Sequence, residues 1–152
     1  MKKGYVLVFL LAVIAATMQG EVKYITQDSF CRTIVNYRVD STWNFLGNKP
    51  VVIDFYTTWC GPCKRLAPIM DELSETYKDK VLFYKADTER ERELAYIFQI
   101  NSIPQVLYIP TSGQPILLKG LYPKEKIIEI IDEFLLGNKR PTANTKSLIK
   151  KL

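Results

Sequence analysis

Val51-Val52-Ile53-Asp54-Phe55-Tyr56-Thr57-Thr58-Trp59-Cys60-Gly61-Pro62-Cys63-Lys64 is the stretch on which the fold turns. Val51 to Tyr56 is β-branched and aromatic apart from Asp54, and reads as a buried strand. Downstream, Leu66, Ile69, Met70, Leu73 and Tyr77 recur at helical spacing. The two cysteines therefore lie on a strand-to-helix turn, with Cys60 near the helix start. Unpaired N–H groups and the positive end of the helix dipole favour a thiolate over a thiol at that position. Cys63, one turn into the helix, can face the same sulfur and close a small disulfide. Such a pair can exchange electrons with the disulfide of another protein.

The hexapeptide Trp59-Cys60-Gly61-Pro62-Cys63-Lys64, with the preceding Asp54-Phe55, resembles the thioredoxin family, and the resemblance covers residues 22–137. It implies an α/β architecture, the thioredoxin fold, in which a central mixed sheet is flanked by helices. The chain read in order agrees with it. Val22 to Ile25 alternates like a short strand; Asp28 or Ser29 can cap a helix with Phe30, Ile34 and Val35 on its apolar face. Cys31 lies beside that face and reads as a small hydrophobe. Residues 37–49 lengthen the family's first connection by about ten residues, an insertion that loop-closure entropy tolerates. Trp43, Phe45 and Leu46 are too apolar for a loose loop and are expected to extend the helix and pack on the body.

Val81 to Asp87 reads as a second central strand, and Thr88 to Phe98 as a charged surface helix with Leu94, Ala95 and Phe98 inward. Gln105 to Ile109 and Ile116 to Leu118 form a hairpin around Thr111-Ser112-Gly113-Gln114. Pro123 opens a last helix with Ile127, Ile130, Ile131, Phe134 and Leu135 as its core stripe, ended by Gly137-Asn138. The resulting order is β α β α β α β β α.

The chemistry that the resemblance implies is protein-disulfide reduction by thiol–disulfide exchange. Cys60 attacks as a thiolate; Cys63, sheltered beneath Trp59, resolves the mixed disulfide and leaves a Cys60–Cys63 bridge. Cys63 must lose a proton, and with no histidine in the chain the base falls to Asp54, whose burial raises its pKa. Lys85 stands where the family places a lysine near that aspartate and opposes the shift. Trp59, Gly61 and Pro62, with Ile103, a cis Pro104 and Gly120, form the substrate groove of the family, Ile103 pairing with extended substrate as an added strand. Gln105 stands where thioredoxins often carry Thr. No cofactor is expected. A zinc module is a poor rival, since one cysteine pair, Cys31 and no histidine fall short of a ligand set. A non-catalytic binding module has no need of both cysteines. A disulfide oxidase or isomerase is the closer alternative, but Gly-Pro between the cysteines resembles the reducing members.

Charge points away from nucleic acid. Seven basic residues (Lys2, Lys3, Lys139, Arg140, Lys146, Lys150 and Lys151) stand in terminal segments that hold no acid, so the net +5 of the chain becomes −2 over residues 21–138. The expected partners are disulfide-containing proteins and a membrane or soluble electron donor, and the expected state is a monomer. Met1-Lys2-Lys3 followed by the apolar run Gly4 to Ala16 has the layout of a secretory signal. This divides the chain into a signal peptide (1–20), a thioredoxin domain (21–138) and a basic tail (139–152), with a periplasmic or otherwise exported location. In mass spectrometry the mature protein should lack about 16–20 N-terminal residues, the usual signal length; full-length protein recovered from the cytosol would overturn this.

Overall fold

The computed structural model describes residues 20–39 and 42–137; the signal-peptide run up to residue 19, Asn138 and the basic tail lie outside the described residues. β1 (Val22–Tyr24), α1 (Gln27–Thr33), β2 (Val51–Tyr56), α2 (Gly61–Thr76), β3 (Leu82–Asp87), α3 (Arg92–Ile97), β4 (Gln105–Ile109), β5 (Ile116–Lys119) and α4 (Lys124–Ile130) follow in order, and α4 runs into a π-helical turn, Ile131–Leu135. The five strands form one sheet in the order β1-β3-β2-β4-β5. β1 and β2 run parallel to β3, whereas β4 is antiparallel to both β2 and β5. This is the mixed sheet of the thioredoxin fold.

The period of two in β2 divides the core. Val52 faces the side covered by α2 and α4, where Leu66, Met70, Leu73, Ile127, Ile130 and Ile131 are packed. Val51, Ile53 and Phe55 face the other side, with Phe30, Ile34 and Leu94 from α1, its C-cap and α3. Both sides of β2 are thus dry, which is why its sequence runs apolar with Asp54 as the sole exception. Phe98 ties the second side together: its ring lies 5.5 Å from Phe30, 5.8 Å from Phe55 and 6.4 Å from Trp43.

Several element boundaries differ from the sequence reading for local reasons. Neither Asp28 nor Ser29 is the N-cap of α1; Thr26 is, its hydroxyl accepting the Ser29 N–H while the Ser29 hydroxyl oxygen accepts the Thr26 N–H. The 37–49 segment does not extend that helix. α1 stops at Thr33 because Thr33-Ile34-Val35 is a β-branched run of low helix propensity, and the N–H groups of Ile34 and Val35 both turn back to the Phe30 carbonyl. Trp43 and Phe45 nevertheless pack against the second side of the core, while Leu46 stays 49% exposed.

α3 begins at Arg92 rather than Thr88. Asp87 holds the preceding residues in a turn, its carboxylate accepting the Glu89 N–H at 3.0 Å and its carbonyl the N–H groups of Arg90 and Glu91. Leu94 is buried there as expected. Ala95 and Phe98 are only half-buried. Pro123 is the N-cap of α4, one residue outside it. The π turn, closed by the Leu136 N–H on the Ile131 carbonyl at 2.9 Å, is a widening that a period of 3.6 does not reveal. Gly137 ends it at φ +63°.

Cys31 is free and 4% exposed, buried next to Phe30 on α1 as a small hydrophobe would be. Cys31→Ser should cost about 1–3 kcal/mol by burying a more polar group in place of the thiol, beside the Tyr37 hydroxyl. It should leave the reactivity of the Cys60–Cys63 pair unchanged. Urea denaturation and thiol titration check the two halves of this expectation, and a loss of reactivity in the folded variant would make Cys31 a third redox centre.

Candidate functional site

The site stands where β2 ends. Tyr56 is its last residue; Thr57 is buried, and the chain turns at once into α2. Cys60 is the N-cap of that helix, and its sulfur accepts the backbone N–H of Cys63 at 3.1 Å. One of the helix's orphan donors therefore points at Cys60 Sγ, which stabilises negative charge on that atom. Pro62 in the first turn has no N–H to leave unpaired. Cys60 and Cys63 are joined as a disulfide, with Cα atoms 5.3 Å apart.

Cys63 is sheltered, and Cys60 is hardly more exposed than its partner. In this disulfide state Cys60 is 4% and Cys63 3% exposed. What separates them is the backbone donor aimed at Cys60, and their places along the helix. Trp59 is 66% exposed, and its indole N–H donates to Glu89 Oε1 at 3.0 Å, so the ring forms a rim of the site held by the β3–α3 turn. Glu89 was not legible as a site residue, because its bond spans 30 residues of sequence.

Asp54 lies in the middle of β2, paired with Lys85 of β3 on one side and Val106 of β4 on the other. By alternation it shares the face of Val52, the one α2 covers, and Cys63 is on the buried stripe of α2 with Leu66 and Met70. The Asp54 carboxyl is buried, and its Oδ1 has no hydrogen-bond partner among the described residues. Burial lifts its pKa from the ordinary 3.8 to about 7, and the positive charge of Lys85 opposes the rise. Lys85 Nζ also sits 4.4 Å from the centre of the Tyr24 ring, a cation–π contact that anchors the lysine beside the aspartate.

The far wall comes from the start of β4. The Ile103–Pro104 bond is cis. Pro104 itself is buried, so it backs the groove, and the half-buried Ile103 lies at its edge. Gly120, at φ +96°, donates its N–H to the Pro104 carbonyl at 2.8 Å. A Cβ at Gly120 would meet nothing within 4 Å, so in the free protein the glycine answers to backbone conformation rather than crowding. Gly61 and Pro62 are exposed at the helix start. The fold thus gathers Trp59 to Cys63, Asp54 and Lys85 around the end of β2, with Ile103, Pro104 and Gly120 at the adjoining end of β4. Among the described residues no cluster of three or more His, Cys, Asp or Glu side chains could hold a metal ion, and no helix is long and apolar enough to cross a membrane.

Comparison with known proteins points the same way. The thioredoxin family model matches residues 21–133. A thioredoxin of Borreliella burgdorferi is 37% identical over 110 residues, 72% of this chain and 94% of its own length. A chloroplastic M-type thioredoxin of Spinacia oleracea is 35% identical over 99 residues, 63% of this chain and 55% of its own length. The chain therefore spans about half of the chloroplastic relatives it matches. The crystal structure of a Malassezia sympodialis thioredoxin superposes with a TM-score of 0.60 at 33% identity, covering 75% of this chain and 91% of that one.

The Asp54 assignment has a measurable sign. Between its unfolded and folded pKa the folded chain keeps a proton that the unfolded chain has lost. Stability should therefore fall as pH rises from about 4 to about 7 and level off above, a loss of about 4 kcal/mol. Asp54→Asn should flatten this slope and be more stable than the parent above neutrality. Urea denaturation at about pH 4 and about pH 8 reads both; an unchanged slope in the variant would move the titration to another group.

Proposed function

The chain belongs to the thioredoxin family, and from that premise we propose that it reduces protein disulfides through Cys60 and Cys63 by way of a mixed disulfide. Its membership of the thioredoxin family, its similarity to thioredoxins and its Cys60–Cys63 disulfide support protein-disulfide reduction. The observation that carries the assignment of roles is the Cys63 N–H directed at Cys60 Sγ at 3.1 Å. It stabilises charge on Cys60 and so favours Cys60 as the attacking thiolate.

The steps balance in sulfur and protons. Cys60 thiolate attacks one sulfur of the substrate disulfide; that S–S bond breaks, and the departing substrate thiolate takes a proton. Cys63 gives up its proton and attacks Cys60 Sγ. The Cys60–Cys63 bond forms as the second substrate thiolate leaves and is protonated. The substrate disulfide is reduced to two thiols and the protein dithiol is oxidised. Asp54, with a pKa of about 7 and on the face α2 covers, accepts the Cys63 proton near neutral pH. An external electron donor then restores the dithiol.

Substrate lies across Trp59, Ile103 and Gly120. An extended segment pairs with the Ile103 backbone, a mode that reads few side chains and admits many proteins. The direction is reduction, favoured by Gly61-Pro62 between the cysteines and by a chain with no histidine to stabilise the thiolate further. The protein acts outside the cytosol as a monomer; the basic start and apolar run of residues 1–16 support export.

Insulin reduction by dithiothreitol should be accelerated by the protein. Cys63→Ser should trap covalent adducts with target proteins on a non-reducing gel, since release is lost, and Cys60→Ser should trap few. Adducts on Cys60→Ser alone would reverse the roles, and no acceleration of insulin reduction would overturn the function.

A further inference from the structure

We propose that Gln105 is a positioning residue for protein substrates, its side-chain amide holding Asn101, Ser102 and Ile103 in the shape that receives an extended substrate backbone. The inference rests on the disulfide-reductase reading above. Gln105 opens β4 and is fully buried. Its partner across the sheet is Phe55, so its side chain enters the second side of the core, beneath the loop that leads to Pro104. A polar side chain in that place has to be used. Nε2 donates to the Ser102 carbonyl at 2.8 Å, with Ser102 Oγ at 3.2 Å and Asn101 Oδ1 at 3.5 Å. A carbonyl only accepts, so the short bond to Ser102 fixes which end of the amide faces the loop. Asn101 Oδ1 also accepts from Lys119 Nζ at 3.1 Å, and Lys119 stands opposite Gln105 in the β4–β5 register.

These bonds select one backbone position. The Ser102 carbonyl is bound by Gln105, and the Pro104 carbonyl is bound by the Gly120 N–H at 2.8 Å. Ile103 lies between them, half-buried, and carries no backbone hydrogen bond among the described residues. Its N–H and C=O are thus presented with both neighbours pinned, a preorganised rung for an added strand. Without the amide the fold keeps its cysteines and its cis proline but loses the bond that turns the Ser102 carbonyl inward. The effect then falls on substrates that need the rung and spares those that do not.

The test compares insulin with hydroxyethyl disulfide, a small disulfide that has no backbone to pair. Gln105→Met keeps length and removes the amide. Its KM for insulin should rise about tenfold at little changed kcat, within the cost that slight misplacement of a bound group can exact. Its rate with hydroxyethyl disulfide should stay within about twofold of the parent. Gln105→Leu, which also lacks a donor for the Ser102 carbonyl, should behave alike and stands in if the Met variant does not fold. An unchanged insulin KM in a folded variant overturns the proposal, and so does an equal loss on both disulfides, which would place the effect at the cysteines. If the parent protein itself fails to reduce insulin, the functional reading falls first.

Discussion

The end of β2 is the fixed point of this molecule. β2 is paired on both edges, by β3 and by β4, and covered on both faces. Val51, Ile53 and Phe55 are fully buried, and each contributes about 1.5–3 kcal/mol by leaving water. A one-residue slip would turn all three toward α2 and bring Asp54 into the opposite core. That constraint delivers Tyr56 to one place, and the turn after it delivers Cys60 to the first position of a helix. The chemistry needs no further device to aim the first sulfur than a strand that cannot move and a helix that begins where it stops.

Among the buried polar side chains of the sheet, Asp54 and Gln105 stand close to that point. Asp54 has no direct hydrogen-bond partner for Oδ1 among the described residues, and its burial brings its titration near neutrality. Gln105 uses its amide nitrogen fully, yet leaves Oε1 without a partner among the described residues. Buried polar atoms left in this state cost about 1–3 kcal/mol each. A sheet of this composition would be more stable with apolar residues at either position. The cost falls where the proton must move and where the substrate must be received, not in the body of the core.

The part of this arrangement carried by local pattern was readable in the chain. The apolar run before Cys60, the helical spacing from Leu66 to Tyr77 and the Gly-Pro between the cysteines place the site without coordinates. Asp54 was legible because a lone carboxylate in an apolar strand weakens the sheet, and the cysteines just beyond it supply a proton for it to take. The aromatic 42–46 stretch was legible as packed but not as non-helical, since its contact with Phe98 is tertiary while the stop after Thr33 is a matter of β-branching. Glu89 on Trp59, and the inward turn of the Ser102 carbonyl, rest on contacts or side-chain geometry that no periodicity encodes. Gln105 was visible only as an unusual residue in its place; its bonds supply the reason.

Asp54 and Gln105 enter the sheet from opposite faces, one beneath α2 and the other beneath the loop after α3, and they share no hydrogen-bond partner among the described residues. The sheet therefore works as a partition between proton handling and substrate reception. The two stand on adjacent rungs, Asp54 opposite Val106 and Gln105 opposite Phe55, so what separates them is the face each side chain enters and not distance. One pair of adjacent rungs thus serves two tasks on two faces, and a lineage that retunes which proteins it accepts does so beside the group that handles the proton.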